Sequence, residues 1–250
     1  MDLATARGWR EGPNPAAWRG NLAHELPPKT KVRAVRHHPA LPWQQMAGFM
    51  TALRKQPGTA AIALELLILT AARTNEVLQA RWSEFDLDVA LWLLPAGRTK
   101  AHREHRVPLS KRAVELLTPL KAAATADGWV FPGGKDGRPL SGMALLMLLR
   151  RMNAGADGKP LSPPRWRDAK GAAIVAHGFR SSFRDWCSEA AAVPRDVAEA
   201  ALAHAERDAT VAAYARSDHL EQRKLLMERW AGHCEPAPAE NVLAFAKPAS

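Results

Sequence analysis

The chain has 250 residues, 47% of them hydrophobic, which is enough to bury a substantial core and places it in the ordinary globular class. Lysine and arginine total 35 against 25 acidic residues, and this net charge of +10 points to a polyanionic partner, nucleic acid before an anionic membrane surface. The basic residues are spread along the chain, and the most apolar segment, AAIALELLIL at 60–69, is too short to span a bilayer, so a membrane partner is set aside.

The opening MDLATARGWREGPNP lacks the charged start and apolar stretch of a signal peptide, so a cytoplasmic protein is expected. Cys187 and Cys234 have no metal-ligand spacing and form no disulfide framework, in keeping with a reducing compartment. Residues 1–40 are rich in Pro, Gly, Trp and charge, with brief helical patterning around Pro15 to Leu26, and read as the tail of something larger plus a basic linker. From Pro42 the pattern changes: Trp43, Met46, Phe49, Met50 and Leu53 recur at three- and four-residue spacings, one apolar face of a helix. TAAIALELLILTAA is a buried helix that stops before Arg73, and Thr74 is the expected cap of a short helix NEVLQARW.

VALWLLP and HRVPLS are short strand-like runs on either side of the polar AGRTKAHRE, so residues 89–109 read as strand, basic loop and strand, with Lys100 in or beside the loop. Ser110 then caps the helix KRAVELLTPLKAA, WVFP is a short extended element, GGKDGRP is a loop, and Ser141 opens the helix GMALLMLLRRM. The Gly, Pro and charge of 153–176 predict a surface excursion, after which helical periodicity holds to about Cys234, broken at Pro194 and near Glu206 and Ser217. A Pro/Ala-rich tail closes the chain. The expected fold is mainly α with a small antiparallel β-sheet, an α+β arrangement unlike a doubly wound sheet.

His177 and Arg180 lie three residues apart at the start of a predicted helix, where both can point to one side and the helix N-terminus favours a phosphate. Alone, such a pair is most often a capping or half-buried histidine beside a surface arginine. The context is Arg73 after the apolar helix, Lys100 in the strand loop, His204 in ALAHAERD, and Tyr214, the single tyrosine of the chain. Together they supply what phosphodiester transfer by a tyrosine requires: a nucleophile, cations for the non-bridging oxygens, and proton donors. Arg73 and Arg180 can fork onto phosphate oxygens, His177 and His204 can donate or shuttle protons, and clustered positive charge favours the Tyr214 phenolate.

In that order, TAARTNEVLQARWSEFD, RTKAHREHRVPLS, HGFR, LAHAERD and AYARSD resemble the tyrosine recombinases, the phage-type integrases, and are most similar to the branch on P4-like prophages and genomic islands. The likeness runs from about Lys31 to His233. It implies a tyrosine recombinase/type IB topoisomerase-like catalytic domain at 41–234, a remnant of a core-binding domain and basic linker at 1–40, and a C-terminal tail at 235–250. It also implies that Arg73 and Arg180 are the catalytic arginines, Lys100 the hairpin lysine that protonates the leaving 5′ oxygen, His177 and His204 the two histidines, and Tyr214 the nucleophile. Glu76 would support the site from behind. No metal, nucleotide or other cofactor is implied; the implied partners are double-stranded DNA at attachment sites, three further copies in a homotetramer on DNA, and DNA-bending accessory proteins.

The sequence departs from the common pattern at LAH, where many relatives have LGH, and at TAART, where TGxR is commoner. As a catalytic domain without the domains that precede it in full-length relatives, the chain is expected to bind DNA weakly. Two other readings compete: a non-catalytic DNA-binding remnant, which has no need of the six reacting residues, and a metal-dependent nuclease using Glu84, Asp86 and Asp88. Those carboxylates alternate on a turn or strand entry, and a solvated loop accounts for them better.

Overall fold

The computed structural model describes residues 2–27, 37–124, 128–135, 137–204 and 217–236. It divides into a unit at Met1–His37 and a larger one at His38–Ser250. In the first, helical turns form at Asp2–Ala6 and Ala23–Glu25, and Asn21 Nδ2 donates to Pro15 O at 2.6 Å.

In the larger unit the periodic segments become α1 (Met46–Arg54), α2 (Thr59–Thr70), α3 (Thr74–Leu78), α4 (Lys111–Ala122), α5 (Gly142–Met152), α6 (Phe179–Glu189), α7 (Arg195–Ala201) and α8 (Leu220–Cys234). Because α2 is apolar on every face, it can only sit at the centre, and α1, α4, α5, α6 and α8 pack around it. Its one charge, Glu65, is 4% exposed and accepts from Arg54 Nε and Arg112 Nε, each at 2.9 Å. Arg54 also forks onto Glu235 with both contacts at 2.6 Å, so the buried carboxylate is paired and α1, α2, α4 and the end of α8 are joined. On the far side Trp230 of α8 donates to Ile68 O at 2.8 Å and packs on Phe183 and Trp186 at 5.4 and 5.0 Å between ring centres.

The sheet has a strand more than the sequence pattern predicts: β1 (Phe85–Asp86), β2 (Leu91–Leu94) and β3 (His105–Pro108), antiparallel in that order. Two residues carry too little alternation to announce a strand, and β1 exists because Phe85 stacks on its partner Trp92 at 5.0 Å. Ser110 caps α4 as expected, accepting from Ala113 N at 3.3 Å. The expected cap at Thr74 is corrected: Arg73 is the N-cap, Glu76 accepts its backbone N–H at 2.8 Å, and α3 ends at Leu78. The stretch 153–176 is more than a surface excursion, since Asn153 exchanges hydrogen bonds with the Trp166 backbone and buries Trp166 against Phe49.

Candidate functional site

Four separate stretches of chain meet beside the C-terminal end of α2. After Thr70, Ala71 turns left-handed at φ 49° and ends the helix, which presents Arg73 at the head of α3. Glu76 fixes that arginine twice, accepting its backbone N–H with one oxygen and its Nη1 with the other, both at 2.8 Å. Arg73 Nη2 donates to Ala203 O at 3.0 Å, and the remaining guanidinium donors make no hydrogen bond to the described residues. The hairpin loop between β2 and β3 is docked on α3 by Arg98, which donates to Glu76 O at 2.6 Å and pairs with Glu84. A turn closed by Thr99 Oγ1, donating to Arg103 O at 2.6 Å, then leaves Lys100 exposed.

These groups line an open cleft of about 380 Å³ whose walls include Arg73, Glu76, Arg98, Lys100 and His177. His177 sits in the short turn Ala176–Gly178 ahead of α6 and is exposed. Burial, then His38, Arg180, Arg73 and His204, hold it below the usual imidazole range, so it stands neutral with a lone pair available. Arg180, expected on the same side of the helix start as His177, is 7% exposed in the first turn of α6, deeper than the exposed His177. There it donates to Ala71 O, to Leu202 O at 2.6 Å, and to His204 Nε2 at 3.3 Å. Burial and the neighbouring Arg73 push its pKa down to about 10, so it stays charged at neutral pH but would gain from an anion above it.

His204 is oriented by Glu199, whose carboxylate lies 2.6 Å from Nδ1. A carboxylate can only accept, so Nδ1 carries the proton and Nε2 is the acceptor that faces Arg180. Burial works against ionisation of Glu199, but hydrogen bonds from His204 and Arg184 outweigh it and hold the group below the usual carboxylate range. Tyr214 falls in 205–216, outside the described residues. On the cleft-side hairpin, Arg106 of β3 grips Asp218 at 2.9 and 2.7 Å.

Several participants carry no local sequence signal. Glu84 and Asp86, weighed as metal ligands, are structural: Glu84 accepts from Arg98 and from Trp92 Nε1 at 3.0 Å, while Asp86 accepts the Asp88 and Val89 amides of a turn. His105 on β3 is kept neutral, its pKa lowered to about 3 by burial and then by Arg223, Arg73 and Arg180. Arg98, His105 and Glu199 become visible only when the hairpin, α3 and α7 are brought together.

Both Ala-for-Gly departures fall on left-handed backbone, Ala71 and Ala203 each at φ 49°, and each carbonyl accepts from one of the two arginines. A Cβ in that conformation costs roughly 1–2 kcal/mol, against the 0.5–1 kcal/mol of extra unfolded-state entropy that glycine brings. Ala203→Gly is therefore expected to stabilise by about 0.5–1 kcal/mol, read as a higher urea midpoint at unchanged m. Ala71→Gly is expected to be near neutral, because Ala71 is 1% exposed and losing a buried methyl gives back about 0.8 kcal/mol.

Arg73, Lys100 and His177 around one cleft, with Arg180 and His204 hydrogen-bonded to each other beside it, suit a phosphate ester, and the fold that gathers them recurs in solved structures. The chain belongs to the phage integrase family, whose profile matches residues 40–221. It is 33% identical over 231 residues to the integrase of Enterobacteria phage P4, covering 86% of this chain and 49% of that protein. It is 34% identical over 177 residues to prophage integrase IntA of Escherichia coli (strain K12), covering 70% and 39%. The chain thus spans about half the length, or less, of these relatives. Among solved structures, the fold matches the integrase from mycobacterium phage Brujita at a TM-score of 0.52 with 16% identity, over 92% of this chain and 67% of that one. It also matches the Tn1549 transposon integrase in complex with circular intermediate DNA at 0.54 with 13% identity, over 90% and 74%.

Proposed function

We propose that residues 41–234 form the strand-cleaving domain of a site-specific DNA recombinase, with 1–40 the end of a core-binding domain and its linker and 235–250 a tail. The observation that carries this reading is the placement of Arg73, Lys100 and His177 around one cleft, with Arg180 and His204 hydrogen-bonded to each other beside it.

In the proposed reaction the Tyr214 oxygen attacks a DNA phosphorus, its proton passing to neutral His177. The P–O bond to tyrosine forms as the P–O bond to the 5′ oxygen breaks, and Lys100 supplies the proton to that leaving oxygen. Arg73 and Arg180 take up the charge that develops on the non-bridging oxygens, and Glu76 and the carbonyls of Ala71, Leu202 and Ala203 hold both guanidiniums in advance of substrate. The 3′-phosphotyrosine keeps the ester energy, so a 5′ hydroxyl of the same or another strand can reverse the step without metal or nucleotide. The partner is double-stranded DNA at an attachment site, bound in a homotetramer with DNA-bending proteins assisting, in the cytoplasm. The net charge of +10 and the basic cleft support it; among the described residues no helix is long and apolar enough to cross a membrane.

The test is a nicked duplex carrying the site beside the chain's own gene, mixed with the protein in EDTA and denatured in SDS. A covalent protein–DNA adduct is expected, with salt-dependent binding of log–log slope about −0.9 per phosphate contact. Binding with that slope but no adduct, even with the N-terminal half of a relative fused on, would leave a DNA-binding remnant.

A further inference from the structure

The first residues of the larger unit, His38 to Leu41, form a strap across the segment that presents His177. Val175 N–H donates to Pro39 O at 3.3 Å, and Ser182 Oγ donates to Leu41 O at 2.5 Å. Between these bonds the strap lies directly on Gly178: a Cβ there would sit 2.0 Å from Pro39 O and 2.9 Å from its carbonyl carbon. Leu41 is 1% exposed and anchors the strap in the core, whereas His38 is exposed. The result is an edge-on contact between the His38 and His177 rings, 4.6 Å between centroids at 68°. Three fixed points within four residues are more than a surface connection needs, and they converge on the one imidazole that lines the cleft.

We propose that His38 is a positioning residue of the phosphate site, its ring holding the His177 imidazole at the mouth of the cleft. This rests on the phosphodiester reading above. An exposed histidine on a turn has several rotamers of similar energy, and fixing one of them before substrate arrives removes an ordering cost from the reaction. The groups that face His177 are His38 from the strap, Arg73 from the head of α3, Arg180 from α6 and His204 beyond α7, with Lys100 across the cleft. Glu76, the carboxylate in the cleft wall, is committed to Arg73. His38 thus contributes a ring wall and, after burial and together with Arg180, Arg73 and His204, helps hold His177 below the usual imidazole range.

Histidine ring C–H NMR separates these contributions, with His177→Gln assigning the signal. In the wild-type chain His177 is expected to titrate below a free imidazole, and inorganic phosphate at the cleft should raise its midpoint. His38→Ala and His38→Phe should both raise the His177 midpoint toward about 6.5. On the nicked duplex at saturating protein, His38→Ala should slow adduct formation roughly tenfold with DNA affinity nearly unchanged, while His38→Phe, which keeps the ring wall, recovers most of that rate. An unmoved His177 midpoint in His38→Ala, or a Phe variant as slow as the Ala variant, would overturn the proposal. If no adduct forms even with the N-terminal half of a relative fused on, the phosphodiester reading fails, and an unchanged His177 signal in His38→Ala would then overturn the positioning role on its own.

Discussion

Tyr214→Phe is expected to abolish covalent attachment to a nicked duplex while leaving DNA affinity within a fewfold of wild type. The substitution removes one oxygen and nothing else. If that oxygen is the nucleophile, the rate of adduct formation falls by at least about 10⁴-fold, the scale on which nucleophile deletions act. Binding depends instead on phosphate contacts by cations that the change leaves in place, and a single lost hydroxyl hydrogen bond costs only about 1 kcal/mol. The test is unusually clean because the chain has a single tyrosine. An adduct that persists in the Phe variant would have to be an ester of serine or threonine or a phosphoramidate of histidine or lysine, and its lability to acid or base would say which.

Arg180→Lys is expected to cost about 10²–10³-fold in cleavage and, separately, about 1–3 kcal/mol in stability. The charge is kept, so a purely electrostatic role would tolerate the change. What lysine lacks is the planar fork that reaches the Ala71 carbonyl, the Leu202 carbonyl and His204 Nε2 together. An ammonium 7% exposed at that depth would leave at least one buried carbonyl without a donor and would free the turn on which His204 sits. Arg73→Lys should lose activity with a smaller stability cost, because the Arg73 side chain is 22% exposed and its carboxylate partner Glu76 also holds the backbone amide. Urea unfolding beside single-turnover cleavage checks the contrast; wild-type cleavage in Arg180→Lys would remove the fork from the argument.

The helices were legible because their information is local. Met46, Phe49, Met50 and Leu53 mark the buried face of α1 by spacing alone, and the apolar run of α2 could only be a central helix. The candidate reacting groups came from the resemblance of TAART, RTKAHRE, HGFR, LAHAERD and AYARSD to the tyrosine recombinases, and one of them, Tyr214, lies outside the described residues. Local rules failed where the stabilising partner is distant. β1 is two residues held by stacking on Trp92, and the head of α3 is capped by Glu76 because that carboxylate also clamps the Arg73 guanidinium.

By itself, then, the amino-acid sequence determined the helical class, the central apolar helix and the basic charge that calls for a polyanion, since each of these is a property of composition or short-range period. Only the tertiary structure decided that Arg180 is a buried brace beside an exposed His177, that Glu84 holds Arg98, and that His38 meets His177 across a strap. Arg180 and Ala71, for example, are separated by 109 positions. A contact of that kind forms when two packed surfaces place a donor opposite an acceptor, and no periodicity along the chain records it.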